Sequence, residues 1–284
     1  ESTMQFRSEQ SGELEGLTRV LGITLDDSHV FARPDQMKEE FRIALEVNKI
    51  MLDDFGFGYW VRLSAWDPKN KDKYLGDEAH WTDTQNQMEE ILKEQKIEYK
   101  KVDGEAAFYG PKMDLIIKDS LGKEWQLSTI QVDFNLPERF DLSYTDEEDN
   151  ESRPIMLHRA TFGSYERFMA MIIEHFQGAF PLWLAPIQVA LLPIADKHKE
   201  AAEKIRNDFR KKGVRAEVWG RSDTLQLKIR EATLQKVPYL GIIGDREIEN
   251  NSISIRALNG EDLGTMDLSK FLDKLKNDIE KKEK

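Results

Sequence analysis

The stretch that decides how this chain is read is His158-Arg159-Ala160-Thr161-Phe162-Gly163-Ser164-Tyr165-Glu166-Arg167-Phe168. The short apolar run Pro154-Ile155-Met156-Leu157 before it predicts a strand, and Met169-Ala170-Met171-Ile172-Ile173-Glu174 after it predicts a buried helix. A strand that gives way to a helix through Gly163 and Ser164 leaves free backbone N–H groups at the helix N-terminus, with Arg167 beside them. Such a turn is an anion site, because its donors lack an internal partner and the helix dipole favours negative charge. An imidazole, a hydroxyl and a guanidinium this close together fit the wall of an active site. An ordinary strand–turn–helix with a surface arginine is the plainer alternative.

On the N-terminal side, residues 4–7 and 17–23 predict two strands joined by a polar, Gly-punctuated loop, a hairpin whose loop can fold over a ligand. Pro34 and Asp35 open a helix with Met37, Phe41, Leu45 and Leu52 on one face, and Gly56 and Gly58 end it. A strand at 59–63 and a helix at 78–96 follow, the helix facing Trp81, Met88, Ile91 and Leu92 inward. Residues 106–117 and 124–134 flank the turn Asp119-Ser120-Leu121-Gly122 and predict a long hairpin, so the sheet is antiparallel. Residues 146–153 form an acidic surface loop.

On the C-terminal side, residues 181–186, bounded by Pro181 and Pro186, predict a domain boundary. Strands at 187–192, 214–219, 239–243 and 252–257 alternate with helices at 197–212, 225–235 and 268–281. Alternation of this kind predicts a compact α/β unit with a mainly parallel sheet. The expected domains are 1–182 and 187–284, in an α/β (α+β) chain whose first part is built on an antiparallel sheet.

Composition narrows the possibilities. The chain has 284 residues, enough for two domains with a sizeable core. Hydrophobic residues make up 39% and charged residues 33%, a globular balance, and no apolar run approaches a bilayer span. The chain contains no Cys, which excludes disulfide and thiolate chemistry. A net charge of −12 argues against non-specific nucleic-acid binding, while leaving room for a local basic face. Glu1-Ser2-Thr3 runs into the first strand with no lead-in pattern, and a piece of a longer protein is the expectation.

The polar residues on the strands of the first domain are of an unusual kind. Tyr109 and Lys112 flank a Gly-Pro turn, Gln126 and Gln131 lie on a strand that otherwise reads as core, and Arg7 closes the first strand. Burying such groups unpaired costs roughly 2–7 kcal/mol on transfer scales, so a cluster on one sheet face points to a ligand. Alternation lets about half of them face solvent by chance. Arg7 and Arg167 are natural phosphate clamps. His29 and His158 are two candidate metal ligands whose spacing is uninformative, and two histidines alone do not make a zinc site.

Several stretches together resemble the class II aminoacyl-tRNA synthetases, and among them the threonyl family. Met4-Gln5-Phe6-Arg7-Ser8-Glu9 through Gly16-Leu17-Thr18-Arg19-Val20 is similar to motif 2 of that class, and the opening stretch to motif 3. Asp26-Asp27-Ser28-His29-Val30-Phe31, Phe108-Tyr109-Gly110-Pro111-Lys112 and the run from Trp125-Gln126 to Gln131-Val132-Asp133-Phe134 resemble stretches special to the threonyl enzymes. The resemblance implies threonine–tRNA ligase activity, in which threonine and ATP give threonyl-adenylate and the threonyl group passes to tRNA(Thr). It implies ATP contacts at Arg7, Glu9, Arg19, Gln126 and Arg167, with Arg7, Arg167 and Lys112 as catalytic groups. Arg167 would stack on the adenine, a cation–π use of arginine. Asp27, Tyr109, Lys112, Gln126, Gln131 and Ser164 would line the threonine and adenylate pocket. His29 and His158 would hold a zinc ion that takes the amino and hydroxyl groups of threonine, and Mg²⁺ would accompany ATP. The second domain resembles the family's anticodon-binding domain, and Arg230, Glu247 and Arg256 would read bases there. A cytoplasmic homodimer is also implied.

The chain departs from the family pattern at several points. The family's third zinc ligand is a Cys upstream of motif 2, and this sequence contains neither it nor motif 1. Ile23 stands where a Phe usually packs on adenine, and Leu25 where a Gln usually lies near the amino acid. Ser222 and Thr224 replace an Asn and a Lys of the anticodon-facing turn. A non-catalytic synthetase-like protein that binds tRNA or regulates is therefore the alternative reading, and another class II synthetase a third.

Overall fold

The computed structural model describes residues 1–282. The chain divides into two compact units, Glu1–Ile172 and a second beginning at Ile173. The first unit runs β1 (Ser2–Phe6), β2 (Gly22–Asp26), β3 (Ser28–Ala32), α1 (Met37–Phe55), β4 (Tyr59–Ala65), α2 (Glu78–Glu94), β5 (Tyr99–Asp103), β6 (Lys112–Lys118) and β7 (Glu124–Asp133). It continues through α3 (Leu136–Arg139), β8 (Tyr144–Thr145), β9 (Glu151–Ser152), β10 (Ile155–Ala160) and α4 (Tyr165–His175).

A six-stranded sheet, ordered β3-β10-β7-β6-β4-β5, is the floor of this unit. Its pairings are antiparallel except at one edge, where β5 runs parallel to β4. That edge strand is one the sequence did not disclose: Tyr99-Lys100-Lys101-Val102-Asp103 carries too few apolar residues to alternate visibly. β1 and β2 form a separate two-stranded ribbon. The expected second strand at 17–23 falls instead on a short 3-10 turn at Gly16–Thr18 and on β2, because Gly16 and Gly22 break the run.

α1 buries Met37, Phe41, Ala44, Leu45, Asn48, Met51, Leu52 and Phe55, one stripe of a 3.6-residue period. Gly56 closes it in the left-handed region at φ 73°, where glycine carries no Cβ penalty. α2 starts at Asp77, whose carboxylate accepts from the Ala79 and His80 N–H groups at 2.9 and 3.0 Å. Trp81 from this helix stacks on Trp66 with ring centroids 5.9 Å apart. In α4 only Phe168 and Met171 are buried, while Met169 and Ile173 are exposed, so the helix expected to be buried is amphipathic.

The second unit runs β11 (Val189–Pro193), α5 (Lys199–Lys211), β12 (Ala216–Val218), α6 (Leu225–Leu234), β13 (Tyr239–Ile243), α7 (Asp245–Glu249), β14 (Ser252–Ala257), β15 (Asp262–Asp267) and α8 (Leu268–Glu280). Its five strands are ordered β12-β11-β13-β14-β15. Pairing is parallel among β12, β11 and β13, where helices make the crossovers, and antiparallel from β13 to β14 and β14 to β15. The parallel part is thus confined to three strands. β15 went unseen because Asp262, Gly264 and Thr265 hide its alternation. One face packs Leu191, Phe209, Ile253, Ile255 and Phe271, and the other Leu192, Ala232 and Leu240. No helix among the described residues is long and apolar enough to cross a membrane.

Asn48 is fully buried on α1, and neither its amide nitrogen nor its oxygen finds a hydrogen-bond partner among the described residues. An unpaired amide in an apolar setting costs free energy that a hydrocarbon of similar size does not. Asn48→Leu is expected to raise stability by about 1 kcal/mol, read as a higher midpoint in chemical unfolding; a lower midpoint would reveal a partner for the amide.

Candidate active site

The register of the six-stranded sheet assembles the site. Lys112 on β6 lies beside Gln131 on β7, Gln131 beside His158 on β10, and His158 beside His29 on β3. Directly paired residues point to the same face, so four polar side chains form one row across four strands. The two imidazoles meet edge to face, 4.7 Å between centroids. Nε2 of His158 lies 2.9 Å from Oδ2 of fully buried Asp133, whose Oδ1 accepts from the Asn135 and Leu136 N–H groups. Tyr109 donates to the Gln131 side-chain oxygen and sets its ring 5.3 Å from that of His158. The Gly110 that follows is obligatory, since a Cβ there would sit 1.7 Å from the Val132 carbonyl oxygen.

A second row, Arg62–Asp114–Thr129–Ala160, supports the first. Asp114 has no exposed surface and accepts from Arg62 at 2.9 Å, Ser64 at 3.0 Å and Thr129 at 2.6 Å. Nζ of Lys112 lies 3.2 Å from the same carboxylate and 3.4 Å from the Gln126 side-chain oxygen. A buried carboxylate is tolerable only when surrounded by such donors. Lys112 is thus aimed by Asp114, which no motif or local pattern singles out.

Above the sheet, three guanidinium groups converge. Arg7 follows β1, Arg19 follows the ribbon loop and Arg167 stands in the first turn of α4. Arg167 donates through Nε to the Thr18 carbonyl at 2.9 Å and lies 5.2 Å from the Trp125 ring centre. Burial lowers its pKa, and the like charges of Arg7 and Arg19 lower it further. Glu9 is bound by Arg19 at 2.9 Å, and that hydrogen bond holds its carboxyl below the usual range. Arg19 also reaches the Glu13 carboxylate at 3.2 Å, so the three cations share the ribbon loop with at least two carboxylates.

The turn before α4 differs from its expected state. Its N–H groups are not free: the Asp26 carboxylate accepts from Thr161 at 3.1 Å and from Phe162 and Gly163 at 3.0 Å each. Burial raises the Asp26 pKa, and these three donors pull it back. The turn is therefore already filled by an internal anion, and the place for an external one shifts to the arginines. Gly163 sits at φ +67°, and a Cβ there would lie 2.7 Å from the Leu127 carbonyl oxygen. Ser164 Oγ accepts from the Arg167 N–H at 3.2 Å and donates to Glu166 at 2.9 Å.

Arg7, Glu9, Arg19, Asp27, Tyr109, Gln126, Gln131, His158, Ser164 and Arg167 line a single cleft of about 360 Å³. His29 and Lys112 stand in the cross-strand row without lining it. Ile23 and Leu25 are on its wall, so the two departures from the family pattern face the ligand space. The sequence reading missed Asp26, Asp114, Asp133 and Glu166. Only Glu166, next to Arg167, carried a local signal.

The two imidazoles suit zinc in kind, with Asp133 behind His158 as the carboxylate that orients a liganding ring. The donor set is short in number: among the described residues no group of three His, Cys, Asp or Glu side chains is placed to hold a metal. In the second unit Arg230 is exposed on α6, and Arg256 is half-buried on β14, its Nε without a hydrogen-bond partner among the described residues. The Glu247 carboxylate accepts from the Gly244 N–H at 3.0 Å and the Ser254 hydroxyl at 2.8 Å, so it also braces the start of α7.

Residues 1–176 match the family model of the tRNA synthetase class II core domain (G, H, P, S and T), and residues 188–278 that of an anticodon binding domain. The chain belongs to the class II aminoacyl-tRNA synthetases. Within that class it is 52% identical to a threonine--tRNA ligase of Deinococcus radiodurans over 257 residues, 90% of this chain and 39% of the relative. It is 47% identical to the Thermus thermophilus threonine--tRNA ligase over 94% of this chain and 41% of the relative. The chain thus spans about 40% of the length of these curated relatives. A crystal structure of the RNA binding domain of threonyl-tRNA synthetase from Cryptosporidium parvum Iowa II superposes with a TM-score of 0.90 at 33% identity, covering 97% of this chain and 68% of that one.

Tyr109 provides a test of the cleft's electrostatics. Burial, and then the nearby charges of Asp133 and Asp27, push its hydroxyl up to about 12 from an ordinary value of 10.0. A raised phenol pKa contributes stability that is complete below pH 10 and lost as pH rises through the folded value near 12. Ultraviolet titration of the tyrosines is expected to show a late phase that Tyr109→Phe removes; an unchanged titration curve would contradict the burial.

Proposed function

We propose that the chain carries the catalytic core and the anticodon-binding unit of a threonine–tRNA ligase. The observation that supports this most is the row Lys112–Gln131–His158–His29 below three converging arginines. The arginines suit a polyphosphate, and the row suits a small polar amino acid. The relatives named above supply the choice of threonine.

In this reading the threonine carboxylate attacks the α-phosphorus of ATP and pyrophosphate leaves. The protein contributes placement and charge stabilisation in place of covalent chemistry. Arg7 meets the α-phosphate, Glu9 the adenine amino group, and Arg167 the adenine face and the γ-phosphate side. Arg19 and Gln126 complete the ATP contacts. Asp27 takes the threonine amino group, with Tyr109, Gln131, Ser164 and Lys112 around the adenylate. His29 and His158 would be two of the ligands of a zinc ion, which would supply Lewis acidity toward the threonine amino and hydroxyl groups. Mg²⁺ accompanies ATP. A pocket that must engage a hydroxyl rejects valine far better than an apolar one, which manages only about a hundredfold. Arg230, Glu247 and Arg256 read anticodon bases of tRNA(Thr), as unstacked loop bases are read on their edges. A cytoplasmic homodimer completes the reading.

Threonine-dependent exchange of pyrophosphate into ATP tests it, in zinc-containing buffer, on this chain and on a protein of the relatives' full length. Arg167→Ala should lower kcat/KM for ATP by about 10²–10³-fold. Equal background rates with threonine, serine and valine would rule out the activity and leave the non-catalytic tRNA-binding alternative, to which Ile23 and Leu25 on the cleft wall point. Arg230→Ala should raise the KM for tRNA by about tenfold while the exchange rate holds; unchanged aminoacylation would remove Arg230 from the RNA surface.

A further inference from the structure

The β1–β2 ribbon forms no ladder with the six-stranded sheet, yet the chain on either side of its turn carries Arg7, Glu9 and Arg19. Something other than strand pairing has to fix these residues over the sheet. Lys123 reaches Glu15 on the ribbon loop at 2.6 Å and the Ser2 and Tyr165 hydroxyls meet at 2.8 Å, both at exposed positions, while the part-buried bonds come from two carboxylates used reciprocally. Asp26, the last residue of β2, accepts from the backbone N–H groups of Thr161, Phe162 and Gly163, and its own N–H donates to the Gly163 carbonyl at 3.1 Å. Glu166, in the first turn of α4, accepts from the Thr24 N–H of β2 with both oxygens, each at 3.0 Å. Leu25 and Ser164 form an isolated antiparallel bridge between the two. Each element thus lends a carboxylate to the other's backbone.

Arg167 hangs from this latch. Its N–H is capped by Ser164, which itself bonds Glu166, and its Nε reaches across to Thr18 at the far end of the ribbon loop. The apposition is unfavourable on its own terms, since Arg7 and Arg19 repel the partly buried guanidinium of Arg167. Hydrogen bonds to charged groups are about twice as strong as neutral ones, so a pair of shared carboxylates is suited to hold like charges together.

We propose that Asp26 and Glu166 are positioning residues that latch the ribbon to the turn before α4 and so hold Arg7 and Arg19 in register with Arg167 for a polyphosphate. The proposal rests on the ATP-binding reading above, although neither carboxylate is assigned an ATP contact there.

The test measures ATP binding at equilibrium, without amino acid, alongside the KM values for ATP and threonine in pyrophosphate exchange. Asp26→Asn removes the negative charge that the three N–H groups bind and turns one oxygen, the one shared with the Thr161 N–H, into a donor. ATP affinity should fall by about 10–100-fold, the scale of a small misplacement of catalytic groups, with a matching rise in the KM for ATP and less than about a twofold change for threonine. Hydrogen exchange should speed up at Thr161, Phe162 and Gly163 and remain slow in β6 and β7. If Asp26→Asn fails to fold, Glu166→Gln carries the test, with the same split between the two KM values and faster exchange at Thr24. A variant that folds and binds ATP as the parent does, or whose two KM values rise alike, overturns the latch. A parent chain that binds no ATP overturns the underlying reading instead, and the latch as a device for ATP falls with it.

Discussion

β10 enters the sheet between β3 and β7 with His158 opposite both His29 and Gln131, and the architecture of the cleft follows from that register. Side chains alternate across a strand, so a slip of one residue would turn His158 under the sheet and bring Arg159 up in its place. The row from Lys112 to His29 would then dissolve, and Asp133 would lose the imidazole it holds. The register is set by what lies on either side. Met156 and Leu157 are buried in the sheet, and the Gly110 backbone leaves no room for a side chain beside Val132. Packing thereby fixes polar chemistry that it does not itself include.

The same logic governs charge. Burying Asp114 and Asp133 would be prohibitive without partners, and each is surrounded by donors. These pairs are aiming devices: one orients Lys112, the other His158. The arginines above the sheet are left in the opposite condition. They lie close enough to repel one another, and Glu9 and Glu13 on the ribbon loop offset part of that charge. The turn before α4 shows how little a local motif decides. A nest of backbone donors that would suit a phosphate is occupied by Asp26, and the anion-binding work passes to side chains.

In the second unit, structural and recognition roles overlap. Glu247 braces Gly244 and Ser254 while standing among residues that the family resemblance assigns to RNA, so its carboxylate has fewer lone pairs free than its sequence position promises. Arg230 lies on an exposed helix face. A fold shared with other synthetases does not choose among amino acids.

Much of this protein was determined locally. The stripe of α1, the inward face of α2, the hairpin of β6 and β7 and the change to alternating strands and helices all follow from periodicity and turn residues, which are properties of neighbouring positions. The motif stretches likewise named most of the residues that line the cleft. The tertiary structure alone decided the parallel edge strand β5, the antiparallel half of the second sheet, and the carboxylates that aim everything else. Asp26 meets amides 135 to 137 positions away, and Glu166 meets Thr24 across 142. No local pattern encodes such a partner, because an aspartate that ends a strand reads the same whether it faces water or a distant backbone. Hydrogen-bond satisfaction is a property of the folded neighbourhood, and only when the sheet has brought its strands into register does a carboxylate acquire its role.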